Sequence, residues 1–437
     1  MKQNARTLGL ILLCIPLGTF AQDTLQITQA ELLQKTVEKN IQLKIAQQNN
    51  AAAKADYRQT NALFMPSIAA SYTGISTTNP LMAFGSKLNQ EILSASDFNP
   101  DLLNNPTKTK NFATKIEVLQ PLINSDGWLA RKAAHGKMDA YVLQTARYQE
   151  YLSWETSKAY RQLQLSYKAL AVMQKAKRTV LANLKTVQHY FAQGLIQKTD
   201  VLAMQIRVNE VENQVQFGLS SVQNASDYLA FLMDDKNQNV IYKPADELSE
   251  TQTTIEPTLL LPDSRKDIQA LSKSTDAYQA MHLSSKLSLL PKLNAFGNYE
   301  LYDTEFLGTK AKGYTIGAQL SWSIFDGYSS LGKIEKAKAE AQKSSFELAQ
   351  YKAKSQLELN SAWRNLTDLT NKVSLSKLAL EQSQEAYKIK ANRFTQGLEK
   401  TTDLLNSETQ VLQKELEHIQ AVFELQVNQH YIQFLTN

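Results

Sequence analysis

The sequence predicts a mostly α fold with a small β part, in which long coiled-coil helical hairpins carry four short strands. Three observations support this. Two very long stretches are nearly free of helix breakers, four segments alternate with a period of two, and one pattern occurs twice at constant spacing.

The long stretches run from Trp128 to Phe191, interrupted only by Gly136, and from Tyr328 to Gln396, interrupted only by Gly332. Ala, Leu, Gln, Lys and Glu fill both, and all are strong helix formers. At 1.5 Å per residue such helices are roughly 90 to 100 Å long, against about 11 residues for an ordinary globular helix. A second helix then returns with a strict heptad. Val201, Val208, Val215, Val222 and Leu229 hold one position, and Met204, Val211, Gly218, Ala225 and Leu232 the other. That spacing makes a coiled-coil seam. After the second long stretch the seam is less regular. Leu404, Val411, Leu425 and Ile432 keep it, Lys414, His418 and Asn428 interrupt it, and Leu405, Leu412 and Ile419 form a parallel stripe.

The alternating segments are strands, because a helix does not repeat every two residues. Ile68, Ala70 and Tyr72 alternate with Ser67, Ser71 and Thr73. Phe112, Thr114, Ile116 and Val118 alternate with Lys115 and Glu117. Leu293, Ala295, Gly297 and Tyr299 alternate with Asn294, Asn298 and Glu300. Tyr314, Ile316, Ala318, Leu320 and Trp322 alternate with Thr315, Gln319 and Ser321. One face is apolar and one polar, which suits a membrane β-barrel of strands about ten residues long and equally a soluble sheet with one wet face. Four strands do not close a barrel, since the smallest use about 8, and lipid tolerates no unpaired edge. In a membrane the sheet is completed by other subunits, and three copies supply twelve strands.

The repeat is read by setting Tyr190-Phe191-Ala192-Gln193-Gly194-Leu195 over Arg393-Phe394-Thr395-Gln396-Gly397-Leu398, an offset of 394 − 191 = 203. At that offset Thr199-Asp200-Val201-Leu202 falls on Thr402-Asp403-Leu404-Leu405. Farther on, Tyr228-Leu229-Ala230-Phe231-Leu232 falls on Tyr431-Ile432-Gln433-Phe434-Leu435. With small gaps, Leu63-Phe64-Met65-Pro66 matches Leu289-Leu290-Pro291, and Asn124 to Trp128 matches Phe325 to Tyr328. The expected organisation is a first repeat at 23–235, a linker or equatorial segment at 236–264 that contains Pro244, Pro257 and Pro262 and has room for short elements, and a second repeat at 265–437.

Residues 1–21 read as a secretory signal peptide: Lys2 and Arg6 precede the apolar run from Leu8 to Phe20, and small residues follow at Thr19 and Ala21. No later segment is apolar over the roughly 20 residues that a spanning helix needs. The single cysteine, Cys14, lies within the signal, and bulky Leu13 before it argues against a lipid-anchor cleavage site. The mature chain then has neither a disulfide framework nor a thiolate metal site. Net charge is +5, and cleavage removes Lys2 and Arg6 from that small excess. Lysines interleave with glutamates, so there is no basic stripe for nucleic acid. His135, His189, His282, His418 and His430 show no metal-ligand spacing, and neither a phosphate loop nor a nucleophile elbow follows a strand. No catalytic residue, metal site or cofactor is expected.

Several segments carry a family likeness. Leu25-Gln26-Ile27-Thr28-Gln29-Ala30 followed by Glu38-Lys39-Asn40 looks like an opening helix, with Ile41 where a proline is common. Leu63 to Ile68 and Leu289 to Leu293 end a helix in Leu-Pro before a strand, and Arg265-Lys266-Asp267-Ile268 resembles an Arg-Pro-Asp-Leu start. In their duplicated order these segments resemble the TolC-like outer-membrane efflux protein family, or outer membrane factors, over essentially the whole mature chain. The resemblance implies a homotrimer whose twelve strands form a barrel in the outer-membrane lipid of a Gram-negative cell. A helical tunnel continues it through the periplasm. The trimer is a passive conduit in efflux or type I secretion, joined by a periplasmic membrane-fusion adaptor to an inner-membrane pump.

The resemblance also gives roles to particular residues, each beside a plainer reading. Gly194 and Gly397 end helices in the left-handed conformation. The family places these turns at the tip gripped by the adaptor, with Gly194, Leu195, Thr199, Gly397, Leu398 and Thr402 as contacts. Asp200 and Asp403 stand where a carboxylate caps a helix and suits its dipole. The family stretch matching Gly397 to Asn406 lines the closed tunnel entrance, which makes Asp403, with Asp200 and Asn406, the gate candidates. A ring of carboxylates there repels itself and attracts cations. Tyr72, Trp128, Tyr314, Trp322 and Tyr328 fit an interfacial aromatic belt or ordinary core packing. The long loop Ile75 to Asn111 and the shorter Tyr302 to Lys312 face outside the cell on the barrel reading. The rival reading is a periplasmic coiled-coil scaffold or adaptor without pore activity, and a second is a surface protein binding through the long loop.

Overall fold

The computed structural model describes residues 23–237, 240–249, 258 and 260–437. The segment read as a signal peptide, 1–21, and parts of the segment read as a linker, 236–264, lie outside the described residues. The chain opens with strand β1 (Asp23–Ile27), helices α1 (Gln29–Lys39) and α2 (Ile41–Gln59), and strand β2 (Ser67–Thr77). Short helices α3 (Pro80–Asn89) and α4 (Pro100–Asn104) lead to β3 (Thr109–Ile123), then α5 (Ser125–Ala192), α6 (Lys198–Leu232) and β4 (Val240–Pro244). The remainder is α7 (Lys266–Leu287), β5 (Lys292–Asp303), β6 (Ala311–Ser321), α8 (Ser329–Thr395) and α9 (Thr401–Thr436). The two long helices contain 68 and 67 residues.

The chain divides into two compact units. One takes in Ile41–Tyr151, Glu256–Ala362 and Ile432–Asn437, and it holds an antiparallel sheet in the order β2-β3-β5-β6. Both neighbouring hairpins are in simple register, with Tyr72 opposite Thr114 and Tyr299 opposite Tyr314. The central pair β3–β5 carries a bulge between Pro121 and Ile123, where proline offers no N–H to the ladder. Because paired residues share a face, Ile68, Val118, Gly297 and Ile316 form one row of the apolar face, and Ala70, Ile116, Tyr299 and Tyr314 the next. The apolar face is bare in the single chain: Ile316 is 78% exposed and Ile68 71%.

In the same unit α7 meets the first part of α5 through Ala133, Ala277 and Ala280. Gly136 does not break α5. A Cβ there would lie 3.2 Å from Ala277 Cβ and from Lys273 O, so glycine is the residue that lets the helices approach. A buried ionic cluster holds the C-terminal end in place. Asp267 accepts from Arg265 Nε (3.0 Å) and from Tyr351 Oη (2.8 Å), and Arg147 Nε lies 3.3 Å away. The same arginines donate to backbone carbonyls, Arg265 to Leu435 O (3.3 Å) and Arg147 to Phe434 O (3.0 Å). Arg147 also sits over the Phe434 ring at 3.8 Å. Burial opposes ionisation of Asp267, but hydrogen bonds from Arg265 and Tyr351 and the charges of Arg147 and Arg265 outweigh it and hold the carboxyl below its ordinary value.

The other unit takes in the chain up to Asn40, Leu152–Ile255 and Trp363–Tyr431. Here one expectation needs correction. The segment read as the opening of a helix, Leu25 to Ala30, is mostly strand: β1 pairs in parallel with β4, a short element within the linker. The reason is tertiary, since Ile27 is buried and its partner strand is more than two hundred residues away. Helix α1 starts only after Thr28, in a capping box where Thr28 Oγ1 accepts from Glu31 N (3.2 Å) and Glu31 Oε2 accepts from Thr28 N (3.0 Å). Tyr160 Oη donates to Ile27 O (3.2 Å) and bonds Asp246, fastening the small sheet to α5. The α6 seam is buried as its heptad requires, from Met204 and Val211 through Val215, Val222 and Leu229 to Leu232. In the sheet-bearing unit the expected loop at 75–111 also differs, because β2 extends to Thr77, β3 begins at Thr109, and α3 and α4 lie between them.

Removing one partner of a buried ion pair leaves an uncompensated charge, so Asp267→Asn should cost about 3–5 kcal/mol in denaturant unfolding of the detergent-solubilised protein. Because the Asp267 carboxyl is depressed, its contribution is complete above the usual aspartate range and is lost as pH falls through the lowered value. The wild type should therefore lose this increment only below about pH 4, and Asp267→Asn should show a flatter acid limb.

Candidate functional site

The two Gln-Gly-Leu turns have one geometry. At the first, Gly194 takes φ +75°, its N–H donates to Phe191 O (2.9 Å), and Leu195 N donates to Tyr190 O (2.9 Å). At the second, Gly397 takes φ +72°, its N–H donates to Phe394 O (3.0 Å), and Leu398 N donates to Arg393 O (2.9 Å). This pair of bonds is the Schellman arrangement that closes a helix end with a left-handed residue. The turns are brought together: Tyr190 Oη donates to Thr395 O (2.9 Å), and the Tyr190 and Phe394 rings are 5.8 Å apart. Leu195 and Leu398 are 67% and 61% exposed, and Thr199, Thr402 and the two glycines are also exposed, so all six contact candidates face outward at the tip.

The two aspartates differ. Asp200 Oδ2 accepts from Gln197 N (3.2 Å) as the third residue of a capping box, so its carboxylate is committed to the start of α6. Asp403 stands in the first turn of α9, half-buried, and among the described residues its side chain makes neither a hydrogen bond nor an ion pair. Asn406 is exposed on the next turn.

Sequence reasoning missed the polar residues inside the seam. Arg207 Nε donates to Glu408 Oε2 at 2.9 Å, with both side chains buried, and Arg207 also reaches Glu210 at 3.2 Å. Burial pushes the Glu408 carboxyl above its ordinary range, against the pull of Arg207 and with a contribution from Glu210. A signal existed, because Glu408 sits four residues from both Leu404 and Leu412 and so lies in their apolar stripe. His418, read as an interruption, is buried with Nδ1 at 3.0 Å from Ser376 Oγ.

The aromatic candidates lie on or beside the sheet. Tyr314, Trp322, Tyr328 and Trp128 are largely exposed. Trp322 Nε1 donates to Leu289 O (3.0 Å), and Trp128 leans on Phe64 at 4.6 Å. Tyr328 takes φ +68° just before α8 and meets Phe325 edge-on. Tyr72 is not at a strand end, because β2 runs on through Thr77. It stacks on Phe112 on the apolar face and accepts from Leu307 N (2.8 Å). Among the described residues no cluster of His, Cys, Asp and Glu suits a metal ion, and no helix is long and apolar enough to cross a membrane.

Residues 32–233 and 260–437, most of the chain, match the model of the outer membrane efflux protein family. The chain belongs to that family. No curated protein sequence matches it. Among solved structures this efflux protein is similar to a membrane protein from Pseudomonas aeruginosa, with a TM-score of 0.82 and 18% identity over 94% of this chain and 92% of that one. It is also similar to the outer-membrane channel OprN (TM-score 0.81, 17% identity, 93% and 89% covered). The Campylobacter jejuni CmeC outer membrane channel follows (TM-score 0.79, 13% identity, 93% and 85% covered). At these identities the likeness is one of fold.

Since nothing lies within 4 Å of a Cβ built at Gly194 or Gly397, only their positive φ demands glycine. Gly397→Val should cost about 1–2 kcal/mol locally and speed hydrogen exchange of the Leu398 amide by about tenfold, whereas Gly397→Asn should leave it nearly unchanged.

Proposed function

We propose that three copies of this outer-membrane efflux protein form a passive conduit, with a twelve-stranded barrel in the lipid and a helical tunnel leading to it. The observation that carries this reading is the sheet: four strands, free edges at β2 and β6, and a bare apolar face. Lipid accepts the face but not the edges, and the edges are satisfied when β6 of one copy pairs with β2 of the next. The two halves, 23–235 and 265–437, are duplicated copies on this reading. Their shared order of strand pair and helical hairpin, and their matching Schellman turns, support it.

The paired tips then meet the helical hairpins of a periplasmic adaptor, which links the conduit to an inner-membrane pump. Leu195 and Leu398 offer the apolar contacts, with Gly194, Thr199, Gly397 and Thr402 around them. Asp403 is the gate residue, because its carboxylate is uncommitted while that of Asp200 caps α6. Three such carboxylates near one axis repel one another and attract cations. Tyr72, Tyr314, Trp322, Tyr328 and Trp128 form the interfacial belt, supported by their exposure beside the apolar face.

Fractionation should recover the mature chain only with detergent, as a trimer on cross-linking, and the purified trimer should conduct in planar bilayers. Recovery as a soluble periplasmic species would sink the reading. In the same bilayers Asp403→Ala should weaken block by divalent cations applied to the tunnel side, whereas Asp200→Ala should leave the block in place and instead loosen the first turn of α6. Unchanged block in Asp403→Ala removes the gate role.

A further inference from the structure

The segment between β2 and β3 is a built element. Asn79 Oδ1 accepts from Met82 N (3.1 Å) ahead of Pro80, which opens α3, and Lys87 Nζ joins Asp97 Oδ1 at 2.8 Å across the segment. Gln90, immediately after α3, is only 3% exposed. Its Nε2 lies 2.7 Å from Asn111 Oδ1, 2.8 Å from Lys110 O and 3.3 Å from Asp303 O. Asn111 shares its side of β3 with Ala113, Lys115 and Glu117, so α3 is pinned over the polar face of the sheet, at the end where both hairpins turn. The other loop goes the opposite way: Phe306 packs on Tyr72 and Phe112 of the apolar face.

The helix is two-sided. Ala83, Ser86 and Gln90 form the stripe turned to the sheet and are buried, whereas Leu81 and Leu88, on the opposite side, are 81% and 56% exposed. In the trimeric barrel, on which this inference rests, the polar face is the inner wall, so those leucines are turned into the water-filled mouth. Exposed apolar surface costs about 25 cal/mol per Å². Dimensions offer it a partner. Twelve strands about 4.8 Å apart and tilted about 40° enclose a cylinder about 24 Å across. Three helices each about 10 Å wide, grouped around a threefold axis, span about 22 Å. The geometry points to a cap: the three copies of α3 meet through Leu81 and Leu88 and close the outer mouth of the barrel to large external solutes.

The test uses the full chain in intact cells, in a Cys14→Ser background, with Thr315→Cys on the polar face four residues below Ala311 or Ile316→Cys next to it on the apolar face. Each is labelled with a small maleimide and with a large polyethylene-glycol maleimide. The loop is native, or residues 80–106 are replaced by a short Gly-Ser turn, or it carries Leu81→Asp with Leu88→Asp at exposed positions that leave the protomer's packing intact. The small reagent should label Thr315→Cys in all three and spare Ile316→Cys. The large reagent should label Thr315→Cys severalfold faster in both altered loops than in the native one. If the small reagent reaches Ile316→Cys as readily as Thr315→Cys, the barrel reading falls and the cap with it. If it separates the faces, yet the large reagent labels Thr315→Cys equally with native and altered loops, the cap alone is overturned.

Discussion

Two unpaired strand edges govern this molecule. A four-stranded sheet ending in β2 and β6 leaves a row of backbone donors and acceptors at each side. In hydrocarbon each unmet group costs several kcal/mol, so an edge with roughly ten of them is intolerable for a lone chain. The apolar face and the edges thus make opposite demands, one for lipid and one for hydrogen-bonding partners. Only closure with further copies meets both. In the proposed trimer the polar face, with Lys115, Glu117, Asn298, Thr315 and Gln319, is the inner wall, and the two loops fold onto different faces of the sheet.

At the other functional element, equal turns lead into unequal helices. The Schellman bonds at Gly194 and Gly397 match donor for donor, yet Asp200 is spent on a capping box and Asp403 is not. The seams diverge as well. Arg207–Glu408 and His418–Ser376 place hydrogen-bonded polar groups between apolar layers. Such pairs add little net stability over apolar residues of the same size, but a displaced register would leave them unmet. Their natural role is to set how α6 and α9, and α8 and α9, are aligned.

Family membership accounts for motifs whose physical purpose lies elsewhere in the chain. Arg265 and Asp267 look like a helix start, and Asp267 is indeed in the first turn of α7, but their chief work is with Arg147, Tyr351 and the carbonyls of Phe434 and Leu435. Gly136 reads as a helix breaker and is instead a contact surface for Ala277. In both cases the residue type was legible and the partner was not, because the partners lie 84 or more residues away.

The sequence by itself determined whatever rests on local periodicity: the two long helices, the α6 heptad, the alternation of all four large strands and the left-handed glycines at both tips. These follow from nearest-neighbour sterics and from burial on one face, which a linear pattern records directly. Tertiary structure alone decided the parallel β1–β4 pair, the buried Arg207–Glu408 and Arg147–Asp267–Arg265 ion clusters, and the fold of the β2–β3 segment over the polar face. Each depends on groups distant in sequence meeting at hydrogen-bond distance. A charged or amide side chain such as Glu408 or Gln90 looks the same in sequence whether solvent or a buried partner satisfies it.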